Sequence, residues 1–298
     1  MPATATAAVG LAALLDHLVA EPPGRIHPVA LFGRVVTPLD RTWAHPSLVG
    51  AGVALGLPLL ASGVVFGVVS ALAPVPPLAA LAAGLVLFST VSLRMLLDEA
   101  RDVVSLTTED LPAARTRLLS LAGRDAASLS APEVRSAAVE SLAENLADGF
   151  VAPLLAFTLV APVSLAGGAA AATWVKAVNT LDSMLGYPHK PHGTASARLD
   201  DLTMWLPARV TAVLLALSAR DLRALSRARE QTSNPPSPNS GWPMATLAAG
   251  LSLRLEKPGV YVLDFGAPPS ASDARRARTL VGRTGWLALV LSGVIVWF

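Results

Sequence analysis

The chain contains no cysteine. That absence excludes disulfides, Cys-ligated zinc, iron–sulfur clusters and thiol catalysis. Charge is scarce as well: 15% of residues are Asp, Glu, Lys or Arg, against about 25% in an average soluble domain. So few charged side chains cannot cover the surface of a 298-residue globule, and lipid must cover part of it. Aromatics make up only 5%. The apolar mass is therefore Ala, Leu, Val and Gly, a composition suited to closely packed membrane helices. The net charge of +2 gives no strong field for nucleic acid, and no nucleic-acid partner is expected. The phosphate loop G-x-x-x-x-G-K-[ST], the dinucleotide fingerprint G-x-G-x-x-G and the nucleophile elbow G-x-S-x-G are all missing. Any ATP bound here is held without those frameworks. The N-terminus lacks a basic n-region, and its apolar stretch carries Asp16 and His17. It reads as a retained first helix rather than a cleaved signal peptide.

What is present is hydrophobic: 53% of the residues, with a mean hydropathy of +0.54. A spanning helix needs about 20 mostly apolar residues. Residues 48–73 and 78–97 qualify, separated by the uncharged turn Pro74-Val-Pro-Pro77. Residues 151–173, 206–219 and 284–298 are further candidates, and 3–20 is a weaker one because of Asp16. The fold class is all-α: a polytopic helical integral membrane protein with about four to six membrane segments, one of them broken or re-entrant. The chain reads as a single membrane domain over residues 1–298. The Arg-bearing segments 21–47, 98–148 and 221–283 belong inside by the positive-inside rule. A single crossing at 151–173 would then leave 176–205 outside, although that segment carries Lys176, Lys190 and Arg198. Pro153, Pro162, Gly167 and Gly168 offer the resolution. The helix breaks over 153–168, and Lys176, Asn179, Arg198 and Asp200 reach a cavity open to the cytoplasm, where protein or water can bury irregular backbone.

Four polar constellations stand out. In Glu140-Ser-Leu-Ala-Glu144-Asn145-Leu-Ala-Asp148-Gly149, the carboxylates recur at i, i+4 and i+8 and share a helical stripe. Acidic groups near membrane depth mark functional sites, and oxygen ligands suit Mg²⁺. A solvated helix face before a span is the plainer alternative. In Lys176-Ala-Val-Asn179-Thr180-Leu-Asp182-Ser183, a cation and neutral hydrogen-bonding groups at Lys176, Asn179, Thr180 and Ser183 share a face suited to phosphate or amide recognition, with Asp182 off that face. Polar glue between helices would give the same pattern. Ser196-Ala-Arg198-Leu-Asp200-Asp201 and Arg209 combine arginine forks, which fit phosphates, with two carboxylates that diverge on a helix. A structural Arg–Asp pair is the alternative. Ser237-Pro-Asn239-Ser240-Gly is a tight polar loop, ordinary when taken alone. His189 and His192 lack a third metal ligand and read as a flexible loop.

Taken in order, these segments carry a resemblance. Leu15-Asp16 with Glu21-Pro22-Pro23, His27-Pro28-Val29 and Gly33-Arg34 resembles the opening of CobD/CbiB proteins, and Gly123-Arg124-Asp125 a motif before their acidic helix. The four constellations resemble the family's central motifs, so the likeness runs over nearly the whole chain. Two positions depart: Met204 stands where the family often has Asn, and Pro235 where it often has His.

The resemblance implies a membrane-bound adenosylcobinamide-phosphate synthase. Such an enzyme joins (R)-1-aminopropan-2-ol O-phosphate, or aminopropanol, to the free propionate of adenosylcobyric acid, consuming ATP. It implies ATP and Mg²⁺ as co-substrate and metal, a corrinoid substrate, no permanently bound cofactor, the lipid bilayer and other cobalamin-assembly membrane enzymes as partners, and a multi-pass plasma-membrane location with the site facing the cytoplasm. On this reading Glu140, Glu144, Asp148, Asp200 and Asp201 are the catalytic candidates, with Glu144, Asp148 and Asp200 as the magnesium ligands. Lys176, Asn179, Thr180, Asp182, Ser183, Ser196, Arg198, Arg209, Ser237, Asn239 and His27 are the substrate- and phosphate-binding candidates. A non-enzymatic signalling protein resembling AmpE is the alternative. A transporter with midplane charges fits the hydropathy but not the long polar motifs.

Overall fold

The computed structural model describes residues 2–123 and 125–298. Five helices are long and apolar enough to cross a membrane: Pro2–Val19, Pro46–Ala71, Pro76–Glu109, Ala131–Val160 and Ala271–Trp297. A sixth arises if Pro191–Thr203 and Trp205–Ala219 form one broken span. The polytopic helical reading is therefore correct, and large apolar side chains such as Leu59, Leu60 and Val64, at 59%, 64% and 59% exposure, are those that lipid must cover.

Contacts divide the chain into two compact units. The first comprises the chain up to Ser92, Asp148–Met204 and Leu289–Phe298; the second comprises Leu93–Ala147 and Trp205–Ala288. In chain order the helices are α1 (Pro2–Val19), α2 (Pro28–Val36), α3 (Pro46–Ala71), α4 (Pro76–Thr90), α5 (Leu93–Glu109), α6 (Leu111–Leu118), α7 (Ala131–Leu146), α8 (Ala152–Val160), α9 (Leu165–Leu185), α10 (Thr194–Thr203), α11 (Trp205–Ala219), α12 (Arg223–Arg229), α13 (Gly241–Leu251) and α14 (Ala271–Trp297). A five-residue π-helical turn, Ala147–Val151, sits between α7 and α8. Such turns recur at functional sites.

In the first unit α9 packs against α3, α4 and α8, and α1 packs against α4. Val36, Leu181 and Leu185 form one buried cluster with Phe32 and Leu57 against it, and Ala152, Val175 and Met204 form another. Met204, where the family often carries a polar Asn, fills an apolar space and is 1% exposed. The break expected within 153–168 is present: α8 stops at Val160, a turn covers Ala161 to Val163, and Ser164 caps α9 by accepting from the Gly167 amide at 3.0 Å. Pro162 lacks the amide that would continue α8. The returning helix approaches so closely that a Cβ on Gly168 would stand 2.7 Å from the Ala161 Cβ and 2.9 Å from its Cα.

Two further details depart from the sequence reading. The candidate 78–97 contains a break: α4 ends at Thr90, and Val91 and Ser92 are non-helical. The loop holding His189 and His192 is not a loose one. His192 lies in a 3₁₀ turn, is buried, and stands 3.3 Å through Nε2 from Asp40, which also accepts from Lys190 Nζ at 2.7 Å. The lysine ammonium holds the Asp40 carboxyl below its ordinary range. A Cβ on Gly50 of α3 would collide with the His192 carbonyl, so the turn is seated directly on that helix.

The second unit packs α5 on α6 and α7, and α13 on α11 and α12. It also holds an antiparallel β-hairpin that the helical reading did not include, β1 (Arg254–Lys257) with β2 (Tyr261–Asp264), pairing Leu255 with Leu263 and Glu256 with Val262. Pro258 and Gly259 make its turn, and Gly259 takes φ +72°.

The α8–α9 contact gives a direct test. Gly168→Ala should cost about 1–3 kcal/mol through overpacking and lower the melting temperature of the purified protein in detergent. Gly10→Ala, where a Cβ meets nothing within 4 Å, should not lower it. Equal melting temperatures for Gly168→Ala and the parent would contradict the close approach.

Candidate functional site

The first unit gathers a polar group around Lys176. The reversal between α8 and α9 places Asp148 about as far before the turn as Lys176 lies after it. The two charges interact, and Glu21, from the α1–α2 turn, interacts with the same ammonium. Lys176 lines a cavity of about 320 Å³ with Glu21, His27, Ser89, Thr90 and Ser92. It also borders an apolar cavity of about 400 Å³ lined by Phe32, Val64 and Val86. Thr180 also lines the apolar cavity and donates its hydroxyl to the Lys176 carbonyl at 2.7 Å.

His27 is built into this wall by the start of α2. It is the N-cap: Nδ1 accepts from the Val29 amide at 3.1 Å, and Pro28 occupies the first helical position. With Nδ1 accepting, the proton sits on Nε2, which faces Glu21 Oε2 at 3.5 Å. Burial, with the nearby Lys176 charge second, lowers the imidazole pKa from 6.5. The ring is therefore neutral at neutral pH.

Further along α9, Asn179 Nδ2 lies 3.5 Å from Asp200 Oδ1 on α10, and the Asp182 carboxylate feels that of Asp201. The divergence of Asp200 and Asp201 is thus realised as two neighbours on α9. Ser183 is exposed and donates to the Asn179 carbonyl at 2.9 Å. Arg198 is exposed. Ser196 is 1% exposed, and its hydroxyl has no hydrogen-bond partner among the described residues.

The second unit contains the remaining motif residues. Glu140 is fully buried; it accepts from Ser136 Oγ at 2.9 Å and from Tyr261 Oη at 2.7 Å, while Ser136 Oγ also accepts from the Glu256 amide at 2.7 Å. Glu140 thereby ties α7 to the β-hairpin. Tyr261 was absent from the sequence-derived candidates, and the Pro258-Gly259 turn just before it was the one local signal of a hairpin there. Glu144 is half-buried, and Asn145 donates back to the Ser141 carbonyl at 3.0 Å. Arg209 clasps the Ser237–Ser240 loop: its guanidinium donates to Asn239 Oδ1, to the Trp205 carbonyl at 3.0 Å and to the Pro238 carbonyl at 3.3 Å, between the rings of Trp205 and Trp242 at 5.0 and 5.3 Å. Ser237 Oγ accepts from the Asn239 amide at 3.2 Å. Pro235 is buried in the same loop. Arg124 lies outside the described residues.

Among the described residues no three His, Asp or Glu side chains gather into a group able to hold a metal ion. The expected ligands Glu144, Asp148 and Asp200 do not form such a group. A magnesium ion held by one or two carboxylates, with substrate phosphates completing its shell, is compatible with this donor set.

The neutral state of His27 carries a pH signature. Its folded pKa lies below the unfolded value, so the unfolded chain binds the extra proton first and stability falls as pH drops through about 6.5. His27→Asn, which can still cap α2, should flatten the fall in melting temperature between pH 7.5 and 5. An unchanged pH dependence would show that the ring does not contribute.

A model of the family described as CobD/CbiB protein matches residues 9–283. A probable cobalamin biosynthesis protein CobD of Methanothrix thermoacetophila is 35% identical, covering 96% of this chain and 95% of its own. The cobalamin biosynthesis protein CobD of Geobacter metallireducens is 39% identical over 96% and 91%, and that of Klebsiella pneumoniae is 36% identical over 88% and 86%. No solved structure matches the chain. With the family model covering most of its length and relatives above 30% identity along nearly all of it, the chain belongs to the CobD/CbiB family.

Proposed function

We propose that this protein acts in cobalamin biosynthesis as an adenosylcobinamide-phosphate synthase, a carbon–nitrogen ligase that joins an amino alcohol phosphate to the free propionate of a corrinoid at the expense of ATP. Family membership and the names of its relatives support the pathway. The observation that carries the reaction is one ammonium, Lys176, which feels the charges of Glu21 and Asp148 and lines, with Glu21, a cavity of ligand size.

A carboxylate is a poor acyl donor. Transfer of the γ-phosphoryl of ATP to the propionate oxygen gives an acyl phosphate and ADP. Attack of the free amine on that carbonyl forms the amide and expels phosphate, and the ammonium proton leaves to a base. Lys176 supplies positive charge for phosphate oxygens where water is scarce and charge interactions are strong. Asp148 and Glu21 supply negative charge for an incoming ammonium or act as the base. Magnesium on Asp148 and nucleotide phosphates would neutralise charge on the transferred phosphoryl group. Asn179, Asp200 and the Arg209–Asn239 clasp then serve to hold substrates or position neighbouring segments. The site is proposed to face the cytoplasm, where ATP is found.

A strain lacking the gene should accumulate adenosylcobyric acid and regain cobalamin when fed cobinamide. Asp148→Asn should insert in the membrane normally and lose about 10²-fold or more in amide formation. Normal cobalamin production by a deletion strain with no second copy would refute the synthase reading.

A further inference from the structure

The cavity between the α1–α2 turn and the last turn of α4 has a directional polarity. Ser89 Oγ donates to the Val86 carbonyl at 2.8 Å, and Thr90 Oγ1 donates to the Leu87 carbonyl at 2.8 Å. A hydroxyl that has given its one proton to the backbone offers only lone pairs. Both residues stand at the C-terminal end of α4, where helix carbonyls and the macrodipole carry partial negative charge. Glu21 adds a carboxylate to the lining. His27 adds no positive charge, because its ring is neutral and its Nε2–H faces Glu21. These lining groups therefore accept hydrogen bonds and favour a cation. The cation already at the cavity is Lys176. The space of about 320 Å³ nevertheless lies within the range of small-ligand sites, about 300–1,000 Å³. Acceptors and a lysine together among the lining residues describe a receptor for a small zwitterion.

We propose that this cavity is the subsite for the short amino alcohol phosphate, its ammonium held by Glu21 and the hydroxyl oxygens of Ser89 and Thr90 and its phosphate held by Lys176. Neither charge of the ligand is then buried alone. The proposal rests on the synthase reading and adds to it two residues, Ser89 and Thr90, and an orientation.

The test uses the full-length protein in lipid nanodiscs. Ethanolamine phosphate and ethyl phosphate differ mainly in the amine, so the ratio of their binding constants reads the ammonium contact alone. Titration calorimetry on the parent should favour ethanolamine phosphate by about tenfold or more, the size of one charge-assisted hydrogen bond. Glu21→Gln should collapse that preference by weakening only the amine probe, and Glu21→Asp should keep it. Should Glu21→Gln fold poorly, Ser89→Ala, which removes one acceptor, should reduce the same ratio. A parent with no preference, or a preference untouched by Glu21→Gln or by Ser89→Ala in its place, overturns the subsite. Amide synthesis is measured separately. A parent that binds ethanolamine phosphate as described but makes no amide from adenosylcobyric acid and ATP overturns the synthase reading and leaves the subsite standing.

Discussion

The ammonium of Lys176 must be accommodated in a helix that packs among apolar neighbours, and the first unit is organised around doing so. An isolated charge among apolar neighbours is costly. The chain offsets that cost by reversing direction between α8 and α9, which brings Asp148 back beside Lys176, and by placing the α1–α2 turn so that Glu21 reaches the same charge. The reversal in turn demands small residues where the two helices meet, which is why Gly168 lies against Ala161. Charge compensation, helix break and glycine are one requirement expressed at three levels.

The same economy governs the polar motifs of the second unit. Glu140 takes two hydroxyl donors and joins α7 to the hairpin, and Arg209 spends its fork on a loop carbonyl and an amide side chain while two indoles flank it. A carboxylate or guanidinium so engaged acts first by fixing segments in place. That distinguishes Glu140 from Lys176, His27 and Glu21, which line a space.

Much of this was legible in the sequence. Low charge and high hydropathy gave a helical membrane protein, and Pro162 with Gly167 and Gly168 gave the break, because proline removes an amide and glycine permits close packing. Lys176 and Asp148 were singled out by residue type and spacing, and His27 by the family resemblance. Other features were hidden for physical reasons. The hairpin strands are four residues each, too short for their alternation to stand out beside long helices. His192 looked loose because its partner, Asp40, is 152 residues away. Ser89 and Thr90 read as part of an apolar span, since nothing local shows that α4 ends at them and turns their oxygens to a cavity. The stripe Glu140, Glu144, Asp148 assumed an uninterrupted α-helix, whereas the π-helical turn begins at Ala147 and changes the register at Asp148.

We propose that the α8–α9 reversal returns the Lys176 segment to the cytoplasmic side. The natural absence of cysteine allows this to be measured cleanly with single cysteines and a membrane-impermeant maleimide. Val163, 80% exposed at the turn, and the exposed His189 beyond α9 are the two positions to replace. In intact cells the cysteine at 163 should label, and the cysteine at 189 should label only after permeabilisation. Labelling of position 189 in intact cells, with position 163 protected until permeabilisation, would contradict the account.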